Sequence, residues 1–115
     1  MAAITDATMG VIYQAMQGLQ ARQKVNADNV ANLQTPGFRA GTVDFETSLQ
    51  NAINTGNPTL ATIDTARSTE APGVDGNNVN LDDETVSMVQ TGLKYQTMVE
   101  AMNAKFQLLR TAIGG

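Results

Sequence analysis

The stretch Asn29–Phe38, with the sequence NVANLQTPGF, decides how this chain folds, because a helix with apolar periodicity runs into it and must stop there. Pro36 lacks a backbone N–H and disfavours the helical conformation at the residue before it. Gly37 can adopt the positive φ that the third position of a type II turn requires. We therefore expect the helix to end within Leu33–Gln34 and Phe38 to emerge at a fixed angle beside that end.

Upstream of this stretch, from Asp6 to about Leu33, seam residues recur at alternating steps of three and four, which is typical of a heptad helix. Gln23 and Asn26 are polar interruptions of the seam. Gly10 and Gly18 lie inside the helix, where each costs about 1 kcal/mol relative to Ala. We expect this helix to fray when it is alone. The seam positions are Met9, Ile12, Met16, Leu19, Gln23, Asn26, Val30 and Leu33.

A second heptad helix is predicted at the other end of the chain. It should begin at Asp82–Glu84, where three carboxylates suit a helix N-terminus, with Leu81 and Val86 spaced as a hydrophobic staple. The two seams most simply pair antiparallel with each other, and pairing with neighbouring molecules is the alternative. The seven-residue repeat is Leu81, Met88, Tyr95, Met102 and Leu109, and the alternate seam positions are Val99, Phe106 and Ile113.

These patterns predict a mainly α-helical chain, with the N- and C-terminal heptad helices forming an antiparallel coiled-coil hairpin joined by a long middle segment. The predicted boundaries are residues 1–34, 35–80 and 81–115. Within the middle segment, Thr42–Ile53 carries enough apolar residues to fold back onto the helices. Thr55–Asn78 carries few, and we expect it to be mobile or extended.

Composition excludes several kinds of chemistry. The 115 residues include no Cys and no His, which rules out zinc sites of the usual type and Ser-His-Asp or Cys-His nucleophile systems. The net charge is −4 and the basic residues are scattered, so we expect no nucleic-acid partner. The N-terminus lacks the pattern of a cleavable signal peptide, and no apolar run approaches the ~20 residues that cross a bilayer.

Three asparagines, Asn26, Asn29 and Asn32, recur every three residues and form a polar strip along one side of the first helix. Their amides could bond to packed neighbours, or the strip could be a solvated helix face, since Asn is a poor helix former that occurs mostly at helix ends. The residues alone leave both interpretations open.

The acidic motifs do not predict a catalytic or metal site. Asp75–Glu84 is rich in oxygen ligands, but its register does not match a calcium-binding loop, and a turn followed by a helix cap explains it better. Asp44 and Glu46 alternate on a predicted extended segment and would point to opposite faces, which makes them a poor acid and base pair. We expect no enzymatic activity, no cofactor, no metal and no small-molecule substrate.

Several short motifs, in their order along the chain, resemble those of bacterial flagellar basal-body rod proteins. The resemblance covers roughly residues 12–53 and 74–113. The short length and the close succession of the first two motifs resemble a proximal member of the rod. The motifs are Asn29–Asn32 leading into Thr35–Ala40, then Val43–Phe45, Gly76–Asp82, Tyr95–Gln96 and Lys105–Phe106.

The resemblance implies a structural subunit that the flagellar type III system exports unfolded and that assembles into the helical drive shaft crossing the periplasm. Its partners would be other rod proteins, an export-linked adaptor protein, the membrane ring at the rod base and copies of itself. Seams weakened by Gly and Asn suit this role, because ordering would wait until neighbours supply the missing apolar contacts. The alternative is a helical-hairpin adaptor or secretion chaperone that folds alone.

We expect the assembly contacts at the end of the first helix, in the fold-back segment and on the seams. The candidate residues are Asn29, Asn32, Thr35, Pro36, Gly37, Phe38, Val43, Asp44, Phe45, Met88, Tyr95, Met102, Phe106 and Leu109.

Overall fold

The computed structural model describes residues 2–114, so the predicted outer boundaries at Met1 and Gly115 lie outside the described residues. The chain is mainly α-helical and forms an elongated, thin body of 64 × 26 × 14 Å. No helix in residues 2–114 combines the length and the apolar character needed to cross a membrane. The elements are α1 (Ala2–Ala31), β1 (Gly41–Asp44), α2 (Glu46–Asn54), a 3₁₀ turn (Pro58–Leu60), β2 (Asp64–Arg67) and α3 (Leu81–Gly114).

The predicted turn after the first helix is confirmed. Helix α1 ends at Ala31 and continues as turns through Gln34, close to the expected boundary. Gly37 has a φ of +75°, and the Phe38 N–H donates to the carbonyl oxygen of Thr35 at 3.2 Å. Local sequence chemistry therefore determines where α1 stops.

The fold-back of the middle segment is also confirmed. Val43, Phe45 and Leu49 are buried and pack with Leu19 of α1 as one apolar core. Ile53, the last apolar residue of the segment, remains 44% exposed. The first half of the middle segment therefore covers one face of α1.

Two elements of the middle segment differ from the expectation. The extended segment stops at Asp44, and Glu46 opens the short helix α2 instead of continuing a strand. Asp64–Arg67 forms a strand that pairs antiparallel with β1, with Asp44 opposite Asp64. The segment 55–78 is therefore extended where β2 forms, and backbone pairing holds that strand in place although it has no buried side chain.

Gly18 has a packing role that its low helix propensity does not reveal. A Cβ built on Gly18 would lie 2.3 Å from the ring of Phe45, far inside van der Waals contact. The ring therefore lies directly on the backbone of α1, which only glycine permits here. The contact between the buried Phe45 ring and the α1 backbone offsets the cost of Gly18 to the helix.

Helix α3 starts at Leu81, the predicted segment boundary, one residue before the carboxylates Asp82–Glu84 that are predicted to open the helix. Asn80 provides the side-chain cap, because its Oδ1 accepts a hydrogen bond from the Asp83 N–H at 3.1 Å. Leu81 and Val86 are 46% and 55% exposed, so they do not form the expected staple. The earlier start takes the two residues out of the spacing that a staple requires.

Helices α1 and α3 lie side by side and run in opposite directions. Hydrogen bonds join Asn26 to Ser87 at 2.9 Å and Gln20 to Tyr95 at 3.0 Å, so lower numbers on α1 meet higher numbers on α3. On α3, Thr91 is 2% exposed at this interface, whereas Ile113 is 85% exposed. Gly92, the predicted seam position next to Thr91, also faces α1, because a Cβ built on it would lie 3.7 Å from Nε2 of Gln23.

We predict that Gly18→Ala destabilises the fold-back, because the new methyl group overlaps the Phe45 ring; overpacking of this kind costs about 1–3 kcal/mol. Urea denaturation followed by circular dichroism measures the change. Gly10→Ala is the matched control, since its Cβ would lie 3.8 Å from Pro58 in ordinary contact and should strengthen the helix.

The same experiment in a Phe45→Ala background isolates the mechanism. Without the ring, Gly18→Ala should no longer destabilise the protein, because only helix propensity remains. Equal destabilisation in both backgrounds would contradict the proposed contact.

Candidate functional site

Asn29 is the fully buried side chain at the meeting point of three elements, with 0% exposure. Its Nδ2 donates to the carbonyl oxygen of Gly41 and to Oε1 of Glu84, both at 2.9 Å. Its Oδ1 accepts from the Gly41 N–H at 2.7 Å. One amide therefore ties α1 to β1 and to α3.

The other two asparagines of the strip behave differently from each other. Asn26 is buried and its Nδ2 donates to Oγ of Ser87 on α3 at 2.9 Å. Asn32 bonds locally: its Nδ2 donates to the Asp28 carbonyl at 2.8 Å, and its Oδ1 accepts from the Thr35 hydroxyl at 3.1 Å. The strip thus joins packed neighbours at two positions and supports the end of α1 at the third.

Asn77 is a buried residue of the Gly76–Asp82 motif that is not among the candidate contact residues predicted from the sequence. Its Nδ2 lies within hydrogen-bond distance of three carbonyl oxygens, those of Asn32 (2.8 Å), Leu33 (3.1 Å) and Thr35 (2.8 Å). Carbonyl groups at a helix C-terminus have no partner inside the helix. Asn77 therefore caps α1 from a segment more than forty residues away in the chain.

Asn78 extends the same contact into the middle segment. Its Oδ1 accepts from the Ala40 N–H at 2.6 Å, and its Nδ2 donates to the carbonyls of Ser68 (3.2 Å) and Glu70 (3.1 Å). Its backbone N–H donates to the Phe38 carbonyl at 3.2 Å. We call Asn29, Asn77, Asn78 and the turn Thr35–Phe38 the asparagine junction.

The turn of the junction has a second support. The Gly37 N–H donates to the Asp75 carbonyl at 2.9 Å, and the backbones of Gly37 and Gly76 approach closely. The Arg67 guanidinium lies over the Phe38 ring, 5.4 Å from its centre. Phe38 is therefore half-buried on the protein by a cation–π contact instead of projecting freely.

An ion pair between Arg22 and Glu46, which we call the Arg22–Glu46 clasp, holds the fold-back segment on α1. Arg22 donates to both carboxylate oxygens of Glu46, at 2.7 and 2.8 Å, and to the Val43 carbonyl at 2.8 Å. Its guanidinium also lies 4.9 Å from the centre of the Phe45 ring. The hydrogen bond from Arg22 lowers the pKa of Glu46 to about 2, against the opposing effect of burial.

The structure brings only part of the predicted set together. The helix-end residues meet at the junction, where Thr35, Pro36 and Gly37 remain exposed. Asp44 is exposed on β1 beside the buried Val43 and Phe45. The α3 residues form a separate group along the helix, in which Met88, Tyr95, Met102 and Leu109 are half-buried and Phe106 is 46% exposed.

The outward face of α3 carries an apolar strip that nothing in the described chain covers. Val86, Val89 and Leu93 follow helical spacing and are 55%, 58% and 59% exposed. The opposite face of the same helix packs on α1 through residues such as Thr91. A helix with apolar residues on both faces is typical of one that is buried on both sides.

The side-chain amides of the junction are bonded to backbone and side-chain groups of this chain, which suits a structural role. In residues 2–114 no group of three or more acidic, His or Cys side chains is arranged to hold a metal ion. The missed residues, Asn77 and Asn78, lie in a Gly-Asn-Asn-Val run that resembles an ordinary turn, so sequence offered no sign of their distant partners.

Comparison with known proteins identifies similar chains. The family model described as "Flagella basal body rod protein" matches residues 12–39. The flagellar basal body rod protein FlgB of Bacillus subtilis (strain 168) is 33% identical, covering 94% of each chain. The FlgB of Aeromonas hydrophila is 32% identical over 100% of this chain and 98% of its own. The FlgB of Escherichia coli (strain K12) is 26% identical over 89% of each.

We predict that Asn77→Ala loosens the end of α1, because three carbonyl groups lose a common donor. Buried groups left without a partner cost about 1–3 kcal/mol. Amide hydrogen exchange over residues 32–40 should accelerate, and the urea midpoint should fall. Asn77→Asp should have a similar effect, since it keeps Oδ1 for the Val79 N–H but removes the donor.

Asn103→Ala, at an exposed position of α3, is the control for loss of an amide. Unchanged exchange around Thr35 in Asn77→Ala would show that the cap does not stabilise the turn.

We predict that the Arg22–Glu46 clasp is sensitive to strong acid. The folded pKa of Glu46 is depressed from 4.5 to about 2, so its contribution is complete above 4.5 and is lost as pH falls through about 2. The contribution is small, since the Glu46 side chain is 51% exposed and solvent screens the pair. Urea midpoints measured across this range should fall more in the wild type than in Glu46→Gln.

Proposed function

The chain belongs to the FlgB family of flagellar basal body rod proteins and is a structural subunit of the rod, and we propose that it enters the rod through α3, α1 and the asparagine junction. In this proposal the junction sets the shape of the subunit, and the long helices supply the surfaces that meet neighbouring subunits. The role is structural and not catalytic.

The uncovered apolar strip on α3 is the observation that carries the proposal. Val86, Val89 and Leu93 point away from α1, and burying such side chains gains about 1.5–3 kcal/mol each. A water-exposed helix face of this kind marks an interaction surface. Neighbouring rod subunits provide the cover that the chain itself does not.

The two long helices act as one unit in the rod. We propose that α1 and α3 form an antiparallel coiled-coil hairpin, which the opposite running of their hydrogen-bonded pairs supports. Residues 35–80 then form a separate part of the subunit on one side of α1, with residues 1–34 and 81–115 as the two arms of the hairpin.

The proposed partners are other flagellar rod proteins, an export-linked adaptor protein and the membrane ring at the rod base, together with copies of this chain. Neither nucleic acid nor a small-molecule substrate is part of this role. A heterologous contact, in which each subunit presents a different surface to the next, produces a helical assembly. We place the subunit in the proximal, periplasm-spanning rod.

We propose that the flagellar type III system exports the chain unfolded and that it becomes ordered during assembly. The thin body, 14 Å in its shortest dimension, leaves much apolar surface exposed in a single subunit. Contacts with neighbours would offset the entropy of ordering the helices. A self-folding adaptor or chaperone would instead show both long helices protected from amide exchange along their whole length as a purified monomer.

Cryo-electron microscopy of isolated basal bodies tests the location directly. The chain should fit density in the proximal rod, and deletion of its gene should abolish the filament instead of slowing its rotation. Density for this chain only outside the rod would overturn the proposal.

We predict that Val89→Asp blocks incorporation into the rod, because a buried unpaired carboxylate is strongly unfavourable at an apolar contact. The variant should abolish swimming and be absent from purified basal bodies. Val89→Leu keeps the position apolar and is the matched control, which should retain motility. Normal assembly of Val89→Asp would show that this strip faces water in the rod.

A further inference from the structure

Glu84 lies at the contact between α3 and α1 with only half of its carboxylate bonded. Oε1 accepts from Asn29 Nδ2 at 2.9 Å. Oε2 is buried and has no hydrogen-bond partner within the described part of the chain. The side chain therefore reaches the central amide of the junction but leaves one oxygen unsatisfied.

An ionised carboxylate fits this position poorly. Its two oxygens can only accept hydrogen bonds, and a buried acceptor without a donor costs about 1–3 kcal/mol. Burial raises the pKa of Glu84, the Asn29 hydrogen bond opposes this, and the nearby Asp83 charge raises it further. The protonated form removes the buried charge and keeps the bond from Asn29.

We propose that Glu84 is a proton-controlled contact between α1 and α3, whose neutral form favours the docked helices and whose ionised form favours their separation. This Glu84 contact acts through Asn29, so it also affects the attachment of β1 to the junction. It regulates how firmly the N-terminal part of α3 rests on α1.

The charge that acts on Glu84 comes from Asp83, and within the described part of the chain no group donates to Oε2. Asp83 lies on its own helix, and Asp28 of α1 and Arg67 of β2 line a cavity beside Gly41. The Arg67 guanidinium donates to the Arg39 carbonyl at 3.1 Å. β1 is linked to Glu84 through Asn29 of α1, whose Nδ2 donates both to the Gly41 carbonyl and to Glu84 Oε1.

The direction of the pH effect follows from the raised pKa. A carboxyl group that binds its proton more tightly in the docked state adds stability as pH falls through its docked pKa, and that gain is complete below its ordinary value of 4.5. The Glu46 clasp has the opposite dependence and weakens only near pH 2. Docking of α3 should therefore be firmest in mild acid.

The inference rests on the packing of α1 against α3 and not on assembly into a rod, so it can fail while the proposed function holds. The chain has no cysteine, which allows unique labelling. Spin labels at Lys24→Cys on α1 and Gln90→Cys on α3, both exposed positions, would report the fraction of docked helices.

The experiment titrates the full-length labelled protein from about pH 8 to about pH 3.5, roughly one unit below the ordinary value of a glutamate. The ratio of docked to separated helices should rise by about tenfold for each unit by which the docked pKa exceeds the free one. Glu84→Gln should be as docked at the upper pH as the wild type is at the lower, with no response to pH.

Glu100→Gln, an exposed glutamate on the same helix, is the matched control and should titrate like the wild type. Glu84→Met provides a second uncharged side chain should the amide disturb packing, and it should also lose the response. A wild-type ratio that does not change with pH, or a full response in both Glu84 variants, would overturn the inference.

Discussion

The side-chain amide of Asn29 is the contact on which the arrangement of the molecule depends. Because the side chain is fully excluded from water, its donors and acceptor must be satisfied inside the protein. Gly41 takes two of the three bonds and Glu84 the third. A Cβ on Gly41 would lie 2.8 Å from Val25, so a larger residue there would push the strand away from the amide. The hydrogen bonds between Asn29 and Gly41 and the close approach of the Gly41 backbone to α1 therefore depend on each other.

Features determined by neighbouring residues could be predicted from the sequence. Pro36 and Gly37 specify the end of α1, and the apolar content of Thr42–Ile53 predicts its return to the helix. The role of Asn77 could not be predicted, because its acceptors lie 42 to 45 residues earlier in the chain. An amide carries no signal for a distant carbonyl, whereas an apolar residue at helical spacing indicates a buried face.

Helix α3 shows a second reason for partial success. Its large apolar residues occupy more than one face, and the heptad seam accounts for only some of them. The structure buries Thr91 against α1 and leaves Val89 and Leu93, which lie outside the predicted seam, exposed. A sequence that carries contacts within the subunit and contacts between subunits superimposes two patterns on one helix. Gly18 is similar, since its cost to the helix is visible in the sequence and its contact with Phe45 is not.

The 14 Å thickness of the body has a calorimetric consequence. A helix with its side chains is about 10–12 Å across, so the subunit is little more than one layer deep. Unfolding one free subunit then exposes little new hydrocarbon, and its heat-capacity increment should fall below the ~12–15 cal/mol/K per residue of compact domains. The apolar surface that a free subunit leaves exposed is buried on polymerisation. Polymerisation should therefore carry a large negative heat-capacity change, and the association of subunits should weaken on cooling.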